Sequence, residues 1–539
     1  MPGWNFAEIW EVAADTQPDA PAQIQGQRTV TWRDFDRRAD GVAATLLAHG
    51  AEHQDKVAQY LYNGPEYMES MFATFKAGLA PVNTNYRYVD DELTYLWSNA
   101  DAFAVVFHGT FAERIENLRD RVPVKLWLWV DDGAGPCPEW AMPYEEAAAA
   151  ATERVRAPWG RDGHDLLLLY TGGTTGMPKG VMWRQDSLIK AVSATQNPRL
   201  LEPEPDYEAL AGDLANPGIK LLPACPLMHG TGMFTAQLAL CGAGSNVTLE
   251  ARHLDIGELL DVTEREGVQA ITIVGDAFAK PILRALDAEP DRWDLSSVFM
   301  MTSSGVMWSQ ESKDGLLRHN PTMMLIDAFS SSEAIGLGQS VSTAGGSSGT
   351  ARFVLGENSR VIADDGHEVQ PGSGEIGRVA VRGFTPVGYY KDPEKSAATF
   401  VEIDGQTYSI PGDYAMVEAD GALTLLGRGS VCINTGGEKV FPEEVEESLK
   451  LHPSIHDAVA VGLPDEKFGE IIVAVVEPMP DASVDEADVI AHVKGRLASY
   501  KAPKRVVPID TIGRAANGKV DYKRLKSYAA DELGVELPG

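Results

Sequence analysis

The sequence predicts an α/β protein: a large N-terminal domain of doubly wound α/β subdomains with a β-rich subdomain at its end, then a small α+β C-terminal domain. Three observations predict this. Helix and strand signals alternate through about the first 110 residues. From about residue 350, strand-like runs follow one another between Gly and Asp turns. Near Gly427–Ser430 the pattern shifts again, to mixed helix and strand. A chain of 539 residues is long enough for about three units of roughly 100–200 residues each.

Thr31 is placed to cap a helix whose apolar residues Phe35, Ala39, Val42 and Leu46 recur at helical spacing. Lys56–Tyr62 reads as a strand, Pro65 opens a helix that Gly78 stops, and Leu79–Val82 is a strand again. Asp90–Asn99 reads as a helix and Phe103–Phe107 as a buried strand. This alternation implies a parallel sheet with helices on its faces, whose ligands sit outside the strand carboxyl ends. Residues 203–218, rich in Pro, Asp, Glu and Ala, read as an exposed loop. Glu375–Gly383, Phe400–Pro411 and Met416–Leu426 supply the strands of a β-rich subdomain at about 350–427, which closes a large domain over 1–427. In the final domain, 428–539, Pro442–Lys450 and Val484–Ala498 read as helices, and Asp457–Gly462 and Ile471–Val476 as strands.

Charge narrows the function. Lys and Arg number 46 against 78 Asp and Glu, a net −32. Nucleic-acid affinity rests on cations set against phosphates, so nucleic acid is not an expected partner. A phosphate ligand here needs locally placed donors. No run approaches the ~20 apolar residues of a membrane helix, and Glu8, Glu11 and Asp15 interrupt the stretch a signal peptide would keep apolar. The four cysteines lack the close spacing of a zinc or redox site. Reduced thiols and a cytoplasmic location are expected.

The sharpest local signal is Tyr170-Thr-Gly-Gly-Thr-Thr-Gly-Met-Pro-Lys-Gly180, which follows the apolar strand Asp165–Tyr170. Gly172, Gly173 and Gly176 permit close backbone approach to a ligand. Thr171, Thr174 and Thr175 add hydroxyl donors and Lys179 adds a cation, a set suited to a polyphosphate. It is not a Walker A loop, since Gly-Lys-Ser/Thr is absent.

This loop resembles the phosphate loop of the adenylate-forming superfamily, which includes acyl-CoA synthetases, peptide-synthetase adenylation domains and beetle luciferases. Further segments resemble that family's motifs in order. They are Asp327-Ala-Phe-Ser-Ser-Ser-Glu333, Tyr389-Tyr-Lys-Asp-Pro393, Gly412-Asp-Tyr414, Gly427-Arg428, the stretch from Gly436-Gly-Glu-Lys-Val-Phe-Pro442 to Glu446, and Asn517-Gly-Lys519. The resemblance implies an ATP-dependent acid–thiol ligase, similar to bacterial fatty-acyl or steroid-side-chain CoA ligases. A carboxylate attacks the α-phosphate of ATP to give an acyl-adenylate and pyrophosphate, and coenzyme A then displaces AMP. The implied substrates are a small-molecule carboxylic acid, fatty or otherwise hydrophobic, ATP with Mg²⁺, and coenzyme A. Carrier-protein loading, aryl-acid activation and an inactive nucleotide-binding relative are the alternatives. The oligomeric state is left open, a homodimer included.

The same resemblance implies the site residues. Residues 171–180 hold the β and γ phosphates, Glu333 ligates Mg²⁺, Asp413 and Arg428 hold the ribose, and Lys519 bridges the attacking carboxylate and the α-phosphate. Adenine lies near Ser304 and Gly305, with the Phe329 ring stacked on it and Ser330 and Ser332 beside it. Gly429 and Ser430 form the hinge about which the small domain rotates between half-reactions, removing Lys519 and bringing the Gly436–Lys439 loop, with Gly436 and Gly437, to the thiol. Replacing Gly429 with proline is accordingly expected to slow thioester formation more than adenylation. His229 is placed beside the acyl carboxylate and thiol tunnel, and Lys501 and Lys504 near the phosphates of coenzyme A. The segment Leu227–Leu240 contains no acid to pair with a substrate ammonium, which disfavours an amino-acid substrate. Met228, Met233, Phe234, Phe278, Met307 and Trp308 suggest an apolar acyl pocket.

Overall fold

The computed structural model describes residues 3–171, 177–193, 197–305, 308–346, 352–363, 365–428, 433–440, 442–480, 482–513 and 522–537. Among these residues three sheets organise the chain.

An eight-stranded sheet is built on five consecutive parallel pairings. Its strands run in the order Leu166–Thr171, Ala80–Asn83, Lys56–Tyr60, Ala102–His108, Leu126–Val130 and Met142–Pro143. The helices before and between them form because their sequences supply the ends. Thr31 caps helix Trp32–Ala48 by accepting from the Asp34 N–H at 3.2 Å, and Pro65 occupies the first turn of helix Pro65–Lys76. The apolar face read from Phe35, Ala39, Val42 and Leu46 is fully buried.

The second sheet has fifteen strands. Its parallel part runs through Ser245–Thr248, Lys220–Pro223, Ala270–Ile273, Met300–Ser304 and Met324–Ser331. Strand Met324–Ser331 then pairs antiparallel with Ala334–Ser342, and through Arg352–Leu355 and Ala422–Arg428 the sheet continues into Asp413–Val417 and Ile376–Arg382. The β-rich strands therefore extend the parallel sheet rather than forming a separate one. They also reach the first sheet, because Gly388–Tyr389 pairs with Lys179–Arg184. The third sheet holds the small domain: Glu438–Val440, Ile433–Thr435, Gly469–Pro478 and Ile455–Asp465, with Arg505–Pro508 parallel to Gly469–Pro478.

One sequence reading is corrected here. Residues 203–218 are not all loop. Asp206 accepts from the Ala209 N–H at 2.9 Å and starts helix Tyr207–Asp213, whose Tyr207 ring packs edge-on against buried Trp4 at 5.3 Å. The acidic composition hid an N-cap followed by a single aromatic anchor.

Candidate active site

The carboxyl ends of the parallel strands of both sheets open onto one cavity of 720 Å³, where ligands of such sheets are expected. Two asparagines, buried Asn83 and half-buried Asn63, fix its floor. Asn83 donates to the carbonyls of Tyr170 at 2.9 Å and Met228 at 2.7 Å and accepts from the Tyr170 N–H at 2.6 Å. Asn63 donates to the Cys225 carbonyl at 3.0 Å and accepts from the Leu227 N–H at 2.8 Å. These side chains replace the ladder bonds that the strand ends lose, so the Thr171 end and the Cys225–His229 turn hold one geometry.

At one end of the cavity lie Thr171, Ser304, Gly305, Ser330 and Ser332. Gly305 has φ +98°, a conformation that favours glycine, and a Cβ there would meet nothing nearer than 3.9 Å. Ser330 lies near the end of strand Met324–Ser331, and Ser332 and Glu333 make the turn into strand Ala334–Ser342. Glu333 is buried, and the Tyr389 hydroxyl donates to its Oε1 at 2.8 Å. Lys179 follows on the adjoining strand and donates to Asp392 Oδ2 at 2.6 Å, with its Nζ 6.0 Å from the Tyr389 ring centroid. The Lys179 ammonium outweighs the small burial of Asp392 and holds its carboxyl below the usual range. Asp413 is buried at the start of its strand and directly opposite Arg428 in register.

Phe329 is a correction. Successive residues of a strand face opposite sides, so Ala328 and Ser330 reach the cavity while Phe329 turns into the β-rich core, 5.5 Å from the Phe353 ring. The expected adenine stacking is replaced there by core packing. Gly172, Gly173, Thr174, Thr175, Gly176, Met307, Gly429, Ser430 and Lys519 lie outside the described residues, and of Arg428 only the backbone is described.

At the other end the small domain closes over the cavity. Gly436 and Gly437, at φ +60° and +85°, form the turn between strands Ile433–Thr435 and Glu438–Val440. That turn delivers Glu438 to His229, with Nε2 3.3 Å from Oε1 and 3.2 Å from Oε2. Arg87 donates to the same Oε1 at 2.9 Å. Burial alone would raise the Glu438 carboxyl, but the His229 imidazole, Arg87 and Lys501 outweigh it and lower it from 4.5 to about 2.

Lys501 is a further correction. It is not presented to a phosphate at the surface: its ammonium is buried against Glu92 Oε1 at 3.0 Å. Lys504 is exposed, 5.4 Å from the Phe468 ring centroid.

The remaining wall is largely apolar. Thr231, Phe234, Thr235 and Leu238 line it from helix Gly230–Cys241 at i, i+3, i+4 and i+7, one helical face. Met228 and Phe278 also line it. Met233 and Trp308 do not. Met233 lies off that face in the core of the first sheet, and Trp308 is sealed in the core behind the second. Glu438 is the single acid among the described lining residues, and it is already engaged by Arg87 and His229. Among the described lining residues a substrate ammonium meets no carboxylate other than Glu438.

Sequence reasoning gave no role to Arg87, Asn83, Asn63, Tyr389 or Asp392, and to Glu438 none beyond its place in the Gly436–Lys439 loop. Glu438, Tyr389 and Asp392 stood inside quoted motifs, a usable signal. The others act through contacts across sheet and domain boundaries that local spacing does not encode. Among the described residues no group of three or more His, Cys, Asp or Glu is arranged to hold a metal ion. Glu333, a buried carboxylate, fits Mg²⁺ that would arrive with nucleotide phosphates, since that ion is held by one or two carboxylates plus phosphate oxygens. No helix among the described residues is long and apolar enough to cross a membrane.

Comparison with known proteins follows the same division. The family described as AMP-binding enzyme matches residues 10–390, and its C-terminal domain matches residues 444–519. A medium/long-chain-fatty-acid–CoA/3-oxocholest-4-en-26-oate–CoA ligase of Mycolicibacterium smegmatis is 39% identical over 99% of this chain and 98% of its own length. A 3-oxocholest-4-en-26-oate–CoA ligase of Rhodococcus rhodochrous is 38% identical over 98% of this chain and 96% of its own length. Among solved structures, an amide bond synthetase of Marinactinospora thermotolerans shares the fold, with a TM-score of 0.78 at 22% identity over 97% of this chain and 99% of that one. An o-succinylbenzoate CoA synthetase of Bacillus subtilis does so with a TM-score of 0.78 at 21% identity, over 98% of each chain.

Proposed function

Because the chain belongs to the AMP-binding enzyme family, we propose that it activates a hydrophobic carboxylic acid with ATP and transfers the acyl group to coenzyme A. The observation that carries this reading is the single cavity in which a hydroxyl-lined nucleotide end, an apolar wall and the Gly436–Glu438 turn meet. The M. smegmatis and R. rhodochrous relatives are named for fatty-acid and steroid-side-chain acids, and the apolar face of helix Gly230–Cys241 suits either class.

The first half-reaction brings two anions together, so positioning and charge neutralisation dominate. The loop between Thr171 and Lys179 receives the β and γ phosphates, with Lys179 released from Asp392 as phosphate replaces it. Ser304 and Gly305 border the adenine. Asp413 accepts from the ribose hydroxyls and Arg428 adds a second contact. Glu333, oriented by Tyr389, would hold Mg²⁺, which would supply positive charge against the phosphates. Lys519 bridges the carboxylate and the α-phosphate. In the second half, His229 and the Gly436–Gly437 turn border the path of the thiol, with Glu438 keeping the imidazole oriented. Gly429 and Ser430 provide the hinge between the two arrangements.

Incubation with ATP, Mg²⁺ and coenzyme A across short, medium, long-chain, aryl and steroid-side-chain acids tests the reading. Thioester and AMP should appear with the large apolar acids. Adenylate without thioester would redirect the acceptor to a carrier protein, and no acid-dependent pyrophosphate would sink the reading.

Two variants probe the walls. Leu238→Trp fills the apolar face and should lower kcat/KM for long acids about tenfold or more while sparing short ones, since one wrongly sized group in such a pocket is worth ~1–3 kcal/mol. Glu438→Gln removes the charge that meets Arg87 and His229, and acyl transfer should fall about tenfold or more. The pH sign follows from the lowered carboxyl. Its contribution to the folded arrangement is fully present above about pH 4.5 and is lost as pH falls toward 2. Titration of Glu438 should therefore leave no inflection in the transfer rate between pH 6 and 9, read as a pH profile of wild type against Glu438→Gln.

A further inference from the structure

We propose that Glu92 is a positioning residue for acyl transfer: a buried receptor on the large domain that holds the small domain where the Gly436–Glu438 turn meets His229. The proposal rests on the ligase reading above.

Glu92 lies in the first turn of helix Asp90–Asn99 and is almost fully buried. Its Oε2 accepts from the Val89 N–H at 3.1 Å, which closes the start of its own helix. The same oxygen accepts from the Ala498 N–H at 3.0 Å, and Oε1 accepts from Lys501 Nζ at 3.0 Å. One carboxylate thus serves one donor of the large domain and two of the small. Both side chains of the Glu92–Lys501 pair are 2% exposed.

The surroundings make this a built socket rather than a chance contact. Ala498 is fully buried within the core cluster of the first sheet that contains Tyr88, Leu93 and Trp97. Lys501 Nζ lies 5.0 Å from the Tyr88 ring centroid. Asn85 donates to the Tyr500 hydroxyl at 3.3 Å, and the Arg87 guanidinium sits 5.5 Å from the Tyr500 ring centroid.

Segment 85–92 therefore presents two complementary points. Arg87 receives the carboxylate of Glu438, and Glu92 receives the ammonium of Lys501. Two attachments of opposite sign fix rotation as well as contact, because a turned small domain would face at least one charge with the wrong partner. A buried ion pair adds little net stability over apolar residues but strongly penalises a missing partner. It therefore discriminates between domain orientations more than it stabilises the fold. Lys501 is consumed by this contact.

The test measures the half-reactions separately. Glu92→Gln keeps the size of the side chain and an acceptor oxygen for the Val89 cap while removing the charge. Transfer from preformed acyl-adenylate to coenzyme A should fall ~10- to 100-fold, with acid-dependent pyrophosphate release unchanged within about twofold. Lys501→Met, a change in the other domain that keeps the apolar stem, should do the same. The double variant should be no slower than either single one, because both remove one interaction. Parallel loss of both half-reactions, unchanged transfer, or additive effects would each overturn the proposal. Wild-type protein that releases no acid-dependent pyrophosphate would sink the ligase reading and the socket together. Active wild type with Glu92→Gln and Lys501→Met indistinguishable from it would sink the socket alone.

Discussion

Glu333→Gln should lower acid-dependent pyrophosphate release about a hundredfold or more, ~3 kcal/mol of lost electrostatic stabilisation. The substitution preserves shape. The Tyr389 hydroxyl can donate to the amide oxygen as it does to Oε1, and the Ser409 hydroxyl donates to the Glu333 backbone carbonyl, which is unchanged. What is lost is the negative charge that a divalent cation requires. The measurement is therefore the Mg²⁺ dependence of the first half-reaction. The variant should need more Mg²⁺ to reach half its maximal rate. Tyr389→Phe keeps the charge and loses only its orientation, so its loss should be smaller, about fivefold, the scale of one hydrogen bond. An unaltered Mg²⁺ requirement in Glu333→Gln would make Glu333 a structural acid of the turn between its two strands.

How much of this was legible in the sequence depends on the range of the interaction. Helices Trp32–Ala48 and Asp90–Asn99 were readable because caps and apolar spacing are local. The strand before the phosphate loop was readable for the same reason. The continuity of the β-rich strands with the parallel sheet was not, since it depends on pairings such as Phe353 with Leu423, about 70 residues apart. The site divides in the same way. Thr171, Ser304, Gly305 and His229 were singled out from motif and register, and the structure sets them around one cavity. Phe329 was misread because its motif gives its identity but not the side of the strand it faces. Lys501 was misread because a basic residue in an acidic chain suggests a free cation, whereas its partner stands 409 residues away. Charge balance within a fold is settled by tertiary neighbours.

The largest effect on stability should come from Lys76→Met. Lys76 is fully buried, yet its Nζ meets Glu11 at 2.9 Å, Asp36 at 2.7 Å and Asp40 at 2.8 Å. Arg161 reaches Glu11 at 2.9 Å and Arg154 reaches Asp36 at 2.7 Å. The cluster joins helices Phe6–Thr16, Trp32–Ala48 and Pro65–Lys76 with the segment that leads to the phosphate-loop strand. Methionine fits the stem and removes the one cation common to all three carboxylates. Breaking such a buried set costs ~3–5 kcal/mol. In a chain of this size the cost should be read as a shortened half-life of thermal inactivation. The pH dependence supplies the check. Burial would raise the Glu11 carboxyl, but Arg161 and Lys76 outweigh it and lower it from 4.5 to about 2. Glu11 thus stabilises the fold fully above about pH 4.5 and loses that contribution as pH falls toward 2. At Asp40 the balance is reversed, because burial exceeds the pull of Lys76 and leaves its carboxyl above the usual value. Without Lys76 both carboxyls take up protons more readily, which relieves the uncompensated charge. The gap between wild type and Lys76→Met should therefore be widest near neutral pH and narrow as the solution is acidified below about pH 4.5. A gap that stays constant with pH would mean that Lys76 acts through packing against Phe72, whose ring centroid lies 4.7 Å from its Nζ, and not through charge.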